Sequence, residues 1–357
     1  MKILLLSKYS RIGASSRLRM LQYIPYLEKD GWNVVVANLL DDLYVSRLYS
    51  REKSTIFDFI SYYWKRFTWL LRASQFDILW VEKEIFPYFP AWAEKILNLC
   101  GCKVIVDYDD AIFHNYDLSS NRFIKLFLKN KIKSVMRSSS CVVAGNPYLA
   151  EYAQRAGAGR IVIIPTVVDA TRYTSRDKVF HDKKLVIGWM GSPATQKYVV
   201  DIKDALIAVC NKYDAKLMLV GADISMNTVF SDIDVEVVPW DESTEAEMIR
   251  LMDVGIMPLV EGPWENGKCG YKLIQYMACG VPVIASPVGV NISIVDESKC
   301  GFLASSVSEW DLHLSHLLSS VDDRRILGCN GRKRVEEHYS VQVQGPIMVR
   351  LMRETIN

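Results

Sequence analysis

The 357-residue chain contains no apolar run near the ~18 residues needed to cross a bilayer, so a membrane-spanning helix is not expected. Residues 1–6 are apolar but give way at Ser7 and Lys8, too early for the core of a signal peptide. They read instead as a first buried strand, and a cytoplasmic protein is the simplest expectation. Cysteine is scattered: there are eight, and none form a CxxC pair. Neither a disulfide framework nor a structural zinc site fits that spacing. The five histidines, His114, His181, His313, His316 and His338, do not cluster. No recognised nucleic-acid-binding module is present, so nucleic acid is not an expected partner.

What is present is ordinary for a globular protein: half of the residues are apolar and 24% are charged. The length is that of two domains. A net charge of +2 hides an asymmetry. Residues 1–165 carry 23 basic against 15 acidic side chains, and the remainder carries 20 against 26. Two surfaces of opposite sign suggest different partners.

Short apolar runs alternate with longer helical patterns. Strands are expected at 2–6, 33–37, 78–81, 103–106, 141–144 and 161–164, and again at 185–189, 216–220, 235–238, 254–257 and 281–285. The runs are nearly continuous rather than alternating, as for parallel strands covered on both faces. Strand–helix alternation of this kind builds right-handed βαβ units. Two series therefore imply an α/β protein of two Rossmann-like, doubly wound domains: 1–168, and 169–339 after the polar stretch 171–184. A last helix within 340–357, with its first turn at Pro346 and apolar residues Ile347, Met348, Leu351 and Met352, is expected to pack back on the first domain. Ligands of such sheets sit beyond the carboxyl ends of the strands, so two facing domains would hold one in the cleft between them.

Residues 265–285 carry the most chemistry. A glycine-containing loop with Lys268, Gly270, Tyr271 and Lys272 leads into a helix that stops at Gly280, followed by the strand after Pro282. Two lysines near a helix start make an anion cradle suited to a diphosphate. Gly191, in 188–195, permits close backbone approach to a ligand, and Ser10–Arg17 follow strand one without a GxGxxG pattern, which disfavours a dinucleotide cofactor. Asp107, Asp109 and Asp110 end the fourth strand. Read alone they could be a DxD metal motif, an acceptor-side or catalytic pair, or a helix cap.

The run MACGVPVIAS, followed by Pro287, Val288, Gly289, Val290 and Asn291, resembles the carboxyl-terminal signature of family 4 glycosyltransferases. Within that family the GKCGYKLIQYMACG wording is similar to a subgroup that serves bacterial surface polysaccharides. The resemblance implies a GT-B fold, retention of configuration, and a nucleotide-diphosphate sugar as donor, with no cofactor and no metal. It assigns the donor pocket to residues 188–197 and 267–291. The family's Glu-x7-Glu pair is absent: Gly267 and Gln275 stand in those places, leaving Gln275 to bond a ribose hydroxyl. Ser192 replaces the family's Arg, whereas Lys197 matches its Lys. Gly13, Ser16 and Arg17 correspond to the family's glycine-rich loop. Asp109 or Asp110 takes the place that often bears a catalytic His, and Lys272 is read as the cation that stabilises the leaving diphosphate. Trp240 is placed near the base. Loss of Lys268 or Lys272 is expected to raise the barrier by roughly 2–4 kcal/mol, by analogy with an oxyanion-hole donor.

The first half carries its own signal. Residues 56–72 mix aromatics with Lys65, Arg66 and Arg72, and residues 122–137 place Arg122, Lys125, Lys129 and Lys133 on one helical face. Both suit an interfacial helix on an anionic leaflet, the inner face of the plasma membrane, where a lipid-linked or glycan acceptor would be met. Two other readings fit the same architecture. One is a sugar-nucleotide epimerase, and the other is a non-catalytic binding subunit that keeps the fold.

Overall fold

The protein is described here by a computed structural model covering residues 1–49, 55–175 and 184–356. It divides into two compact units. The first comprises Met1–Val167, Gly267–Cys269 and Val343–Asn357; the second comprises Val168–Asn266 and Gly270–Gln342.

The first unit is built on six parallel strands: β1 (Lys2–Leu6), β2 (Asn33–Val36), β3 (Ile78–Glu82), β4 (Val104–Tyr108), β5 (Cys141–Ala144) and β6 (Ile161–Ile163). Their order is β2-β1-β3-β4-β5-β6, so the direction of winding reverses between β1 and β3. β1, β3, β4 and β5 are almost fully buried along their length. That explains why they read as unbroken apolar runs: helices cover both faces.

The second unit repeats the plan with β7 (Val186–Met190), β8 (Lys216–Val220), β9 (Val235–Val238), β10 (Val254–Met257), β11 (Val283–Ala285) and β12 (Gly301–Leu303). The order β12-β11-β10-β7-β8-β9 is that of a dinucleotide-type doubly wound sheet, reversing between β7 and β10. Alternate residues feed two cores. Met190, Met218 and Val220 join one with Tyr276, while Ile187, Trp189, Leu217 and Leu219 join the other with Trp310.

Three local expectations change. β12 was not expected, because three residues after Cys300 are too short to show a period. The final helix starts at Val341 and contains Pro346 rather than starting there. A proline in the second turn forfeits only one bond, to the Gln342 carbonyl. Residues 122–137 form two helices, Arg122–Leu128 and Lys131–Ser138, so the four basic residues do not share one continuous face. Lys133 lies over the Tyr152 ring at 5.9 Å. His181 and part of the polar stretch 171–184 lie outside the described residues.

Candidate functional site

In the first unit the winding reverses where β1 runs into Ser7 and β3 runs into Lys83. Lys83 has φ 65°, a left-handed conformation that is uncommon for a side-chain-bearing residue. Such backbones cost of order 1–3 kcal/mol and persist only where their surroundings demand them. Here the demand is electrostatic: Lys83 Nζ lies 2.8 Å from Asp109 Oδ1 and 3.8 Å from Asp110 Oδ2. Ser15 Oγ donates to the other Asp109 oxygen at 2.6 Å. Burial pushes Asp109 up, but Lys83 and Ser15 outweigh it and hold its carboxyl below the usual range. Asp110 goes the other way, to about 6, through burial and then the Asp109 charge, against the pull of Lys83 and Lys268. Its side chain keeps 37% exposure, so solvent blunts the burial contribution and the neighbouring charge matters more. The two adjacent carboxyls therefore differ in proton affinity, a division suited to acid–base work.

The loop after β1 does not present the groups expected of it. Ser16 is fully buried, with its hydroxyl accepting from Tyr9 N at 2.9 Å and donating to Glu82 at 2.5 Å. Arg17 is also buried and donates to the Arg11 carbonyl at 3.3 Å. A Cβ at Gly13 would stand 2.3 Å from Tyr9 Cβ, so this glycine lets the loop fold on itself. These three residues shape the loop, and it is Ser15 that reaches Asp109. Glu82, Ser15 and Lys83 were not singled out in the sequence.

In the second unit the site forms where β7 and β8 end. Lys272 Nζ lies 4.6 Å from the Trp189 ring centroid, in cation–π contact. A Cβ at Gly191 would come within 2.8 Å of that ammonium. Gly221, at φ +80°, lies so close that its own Cβ would be 2.2 Å from the Gly191 carbonyl and 3.2 Å from Trp240 Cβ. Gly191, Trp240 and Lys272, far apart in the chain, thus come together. Gly270, at φ +65°, precedes the helix Tyr271–Ala278, which begins beside them. Ser192 is exposed, with its N–H donating to Thr195 Oγ1 at 3.3 Å. Lys197 is exposed and over the Tyr198 ring at 5.0 Å.

Lys268 and Lys272 were read as one cradle; Gly267–Cys269 group with the first unit and Lys272 with the second. Asn146 Nδ2 donates to the Gly267 and Lys268 carbonyls at 2.8 and 3.1 Å, and the Cys269 thiol donates to the Asp109 carbonyl at 3.1 Å. Lys268 is accordingly one of the charges that act on Asp110. Gln275 is not an open side chain: it is 3% exposed and donates to the Tyr173 hydroxyl at 3.0 Å.

A sequence model of the family described as Glycosyl transferases group 1 matches residues 184–320. A search of curated proteins gave no match. Among solved structures, sucrose-phosphate synthase (tll1590) from Thermosynechococcus elongatus superposes with TM-score 0.73 at 17% identity, covering 99% of this chain and 98% of that one. Alr3699/HepE from Anabaena, in complex with UDP, gives TM-score 0.72 at 15% identity, covering 99% and 100%. WaaG, a glycosyltransferase involved in lipopolysaccharide biosynthesis, gives 0.67 at 12% identity, covering 98% and 99%. The resemblance to GT-B glycosyltransferases read from the MACGVPVIAS stretch is borne out: residues 184–320 match the Glycosyl transferases group 1 model, and the fold of two Rossmann-like domains is shared with the solved structures.

Proposed function

We propose that this protein transfers a sugar from a nucleotide-diphosphate donor to a glycan or lipid-linked acceptor, with retention of configuration and without a metal, in the synthesis of surface polysaccharide. The observation that carries this reading is the convergence of Gly191, Trp240 and Lys272 at the carboxyl ends of β7 to β9, inside the family-matched segment. A glycine that admits a phosphate, a cation beside it and an aromatic ring nearby are the parts a nucleoside diphosphate needs. HepE was solved with UDP and with UDP-glucose, which makes UDP-sugars the first donors to try. The acceptor belongs, on this reading, to the first unit, where Asp109 and Asp110 line the end of β4.

A thermal-shift panel of UDP-, GDP- and dTDP-sugars is expected to select one donor, because a ligand bound to the native state raises its apparent stability. That donor, incubated with acceptor lipid, should yield glycosylated lipid and nucleoside diphosphate. Isomerised donor formed without acceptor would point to the epimerase, and donor binding with no turnover to a non-catalytic subunit.

The membrane role is part of the same proposal. No described helix is long and apolar enough to cross a bilayer. The helix Ile56–Leu70 exposes Phe57 (77%) and Trp64 (65%), and Arg122–Leu128 exposes Phe123 (75%) and Phe127 (72%). Exposed Lys65, Lys125 and Lys129 accompany them, each contributing about 1 kcal/mol near an anionic surface. The protein is expected to float with phosphatidylserine-containing vesicles at moderate salt, and Trp64→Ser/Phe127→Ser to stay at the bottom of the gradient. Failure of the unaltered protein to float would remove the membrane from this picture.

A further inference from the structure

The loop that leaves β3 turns sharply at its first residue. Glu84 N donates to the Glu82 carbonyl, two residues back, at 2.7 Å, which closes a γ-turn around Lys83. With φ 65° at Lys83 this is the positive-φ form of that turn, the rare and strained one. Further along the same loop, Tyr88 has φ 60° and is a second left-handed residue that bears a side chain. A loop with two such residues keeps its shape only if its surroundings over-determine it.

Buried side chains supply that constraint. Glu84, whose side chain is 10% exposed, is paired with Lys131, whose side chain is 1% exposed. The Tyr116 hydroxyl donates to the same carboxylate, lying 2.8 and 2.9 Å from its two oxygens. Lys131 also donates to the Phe86 carbonyl at 2.5 Å, and the Tyr116 oxygen accepts from Tyr88 N at 3.1 Å. The Ile85 N–H between them donates to Glu94 at 2.9 Å. Both strained residues, and the segment joining them, are thus tied to the helices Lys131–Ser138 and His114–Asp117. What the turn delivers is the ammonium of Lys83, 2.8 Å from Asp109 Oδ1 and 3.8 Å from Asp110 Oδ2. Rotation about the N–Cα bond carries Cβ with it, so a Lys83 relaxed to negative φ would aim its side chain elsewhere.

We propose that Glu84 is a positioning residue for the carboxyl pair: with Lys131 and Tyr116 it locks the loop after β3 in the γ-turn that holds the Lys83 ammonium on Asp109. The consequence is electrostatic. Burial pushes Asp109 up, and Lys83 is the first of the charges that pull it back below the usual range, ahead of Arg19. Arg19 is itself paired with Asp107, so Lys83 is the cation that sets Asp109 apart. Cys269 is a further titratable neighbour of Asp109. Asp110 faces Asp109, Lys83, Lys268 and Lys8. The inference rests on the reading of Asp109 and Asp110 as carboxyls of sugar transfer for its effect on rate, but not for its effect on their titration.

The test is a carbon-13 titration of the full-length protein labelled at its aspartate carboxyls, with Asp109→Asn and Asp110→Asn assigning the pair. The unaltered protein should show one midpoint below the usual carboxylate range and another at about 6. Lys83→Met sets the scale: the lower midpoint should rise by about 1–3 in pH, the usual pull of a cation on a nearby carboxyl. Glu84→Leu/Lys131→Met deletes both charges of the lock, so that neither is left buried alone, and should give a rise of the same size. Tyr116→Phe unties Glu84 from Tyr88 and should move the midpoint in the same direction. A variant that is merely less stable leaves the midpoint of its folded state where it was, so the titration separates positioning from structure. A lower midpoint that stays put in both lock variants would overturn the inference, as would one that stays put in Lys83→Met or is missing from the unaltered protein. Where sugar transfer is measured, the acid limb of the kcat/KM profile should move up with the midpoint. The expected titration in a protein that transfers no sugar would uphold the lock and overturn the proposed function alone.

Discussion

Replacing Lys272 by methionine is expected to lower kcat/KM for sugar transfer by about 10²–10³-fold, the loss that follows removal of one preorganised donor to developing negative charge. In the proposed reaction, charge builds on the diphosphate as the sugar leaves. Lys272 is the second residue of the helix Tyr271–Ala278, where main-chain N–H groups and the helix dipole favour an anion. Its contact with the Trp189 ring at 4.6 Å keeps the ammonium at the end of β7. Methionine preserves length and apolar packing while deleting the charge, so the change isolates electrostatics. The effect should fall mainly on kcat, since the charge on the leaving group is greatest in the transition state. Lys268→Met is the informative control. Lys268 groups with the first unit, where it is one of the charges acting on Asp110. Its removal should leave the thermal shift caused by the donor unchanged and raise the pH at which Asp110 ionises above about 6. Equal losses of donor shift in the two variants would show that the lysines act as one cradle.

That Lys268 and Lys272, four positions apart, group with different units is something local sequence does not report. Strand positions were legible because residues covered on both faces must be apolar in succession, and β1, β5, β8 and β10 fall where those runs do. The two-domain class followed from the repetition of that pattern. Gly191 and Lys272 were legible as chemical types, since a glycine after a strand and a lysine at a helix start have few other uses together. What local sequence does not carry is which distant side chains meet. Ser16 and Ser15 are indistinguishable in a list of hydroxyls, yet the strand geometry turns one into Glu82 and the other toward Asp109. Lys83 and Tyr173 gain their meaning from Asp109 and Gln275, 26 and 102 positions away. Burial of Gln275 likewise follows from packing of its helix against β10, which no spacing rule reports.

Replacing Arg19 by methionine is expected to lower the free energy of unfolding by about 3–5 kcal/mol, the range for breaking a buried ion pair from one side. Arg19 Nε lies 2.8 Å from Asp107 Oδ1, and neither side chain exposes more than 1% of its surface. The guanidinium also donates to the Ile164 carbonyl at 2.8 Å, so it ties the helix Ala14–Arg19 to β4 and to the residue after β6. Burial pushes the Asp107 carboxyl up, to about 6, while Arg19 pulls it down; in the variant only the upward push remains. The sign of the pH effect follows. A carboxyl whose folded pKa lies above its unfolded value makes its stabilising contribution at low pH and loses it as pH rises toward the folded pKa. In the unaltered protein that loss is complete a little above pH 6, where Asp107 ionises beside Arg19. In the variant the carboxyl must stay protonated to higher pH, so the loss continues to accumulate. The deficit of Arg19→Met relative to the unaltered protein should therefore be larger at pH 8 than at pH 5.5 in urea unfolding. Arg19→Met/Asp107→Leu, which removes both charges, should recover much of the stability and abolish the pH dependence of the deficit, because two apolar groups need no partner. A deficit that is equal at both pH values in Arg19→Met would mean that the lost bond to the Ile164 carbonyl, not the orphaned carboxylate, dominates.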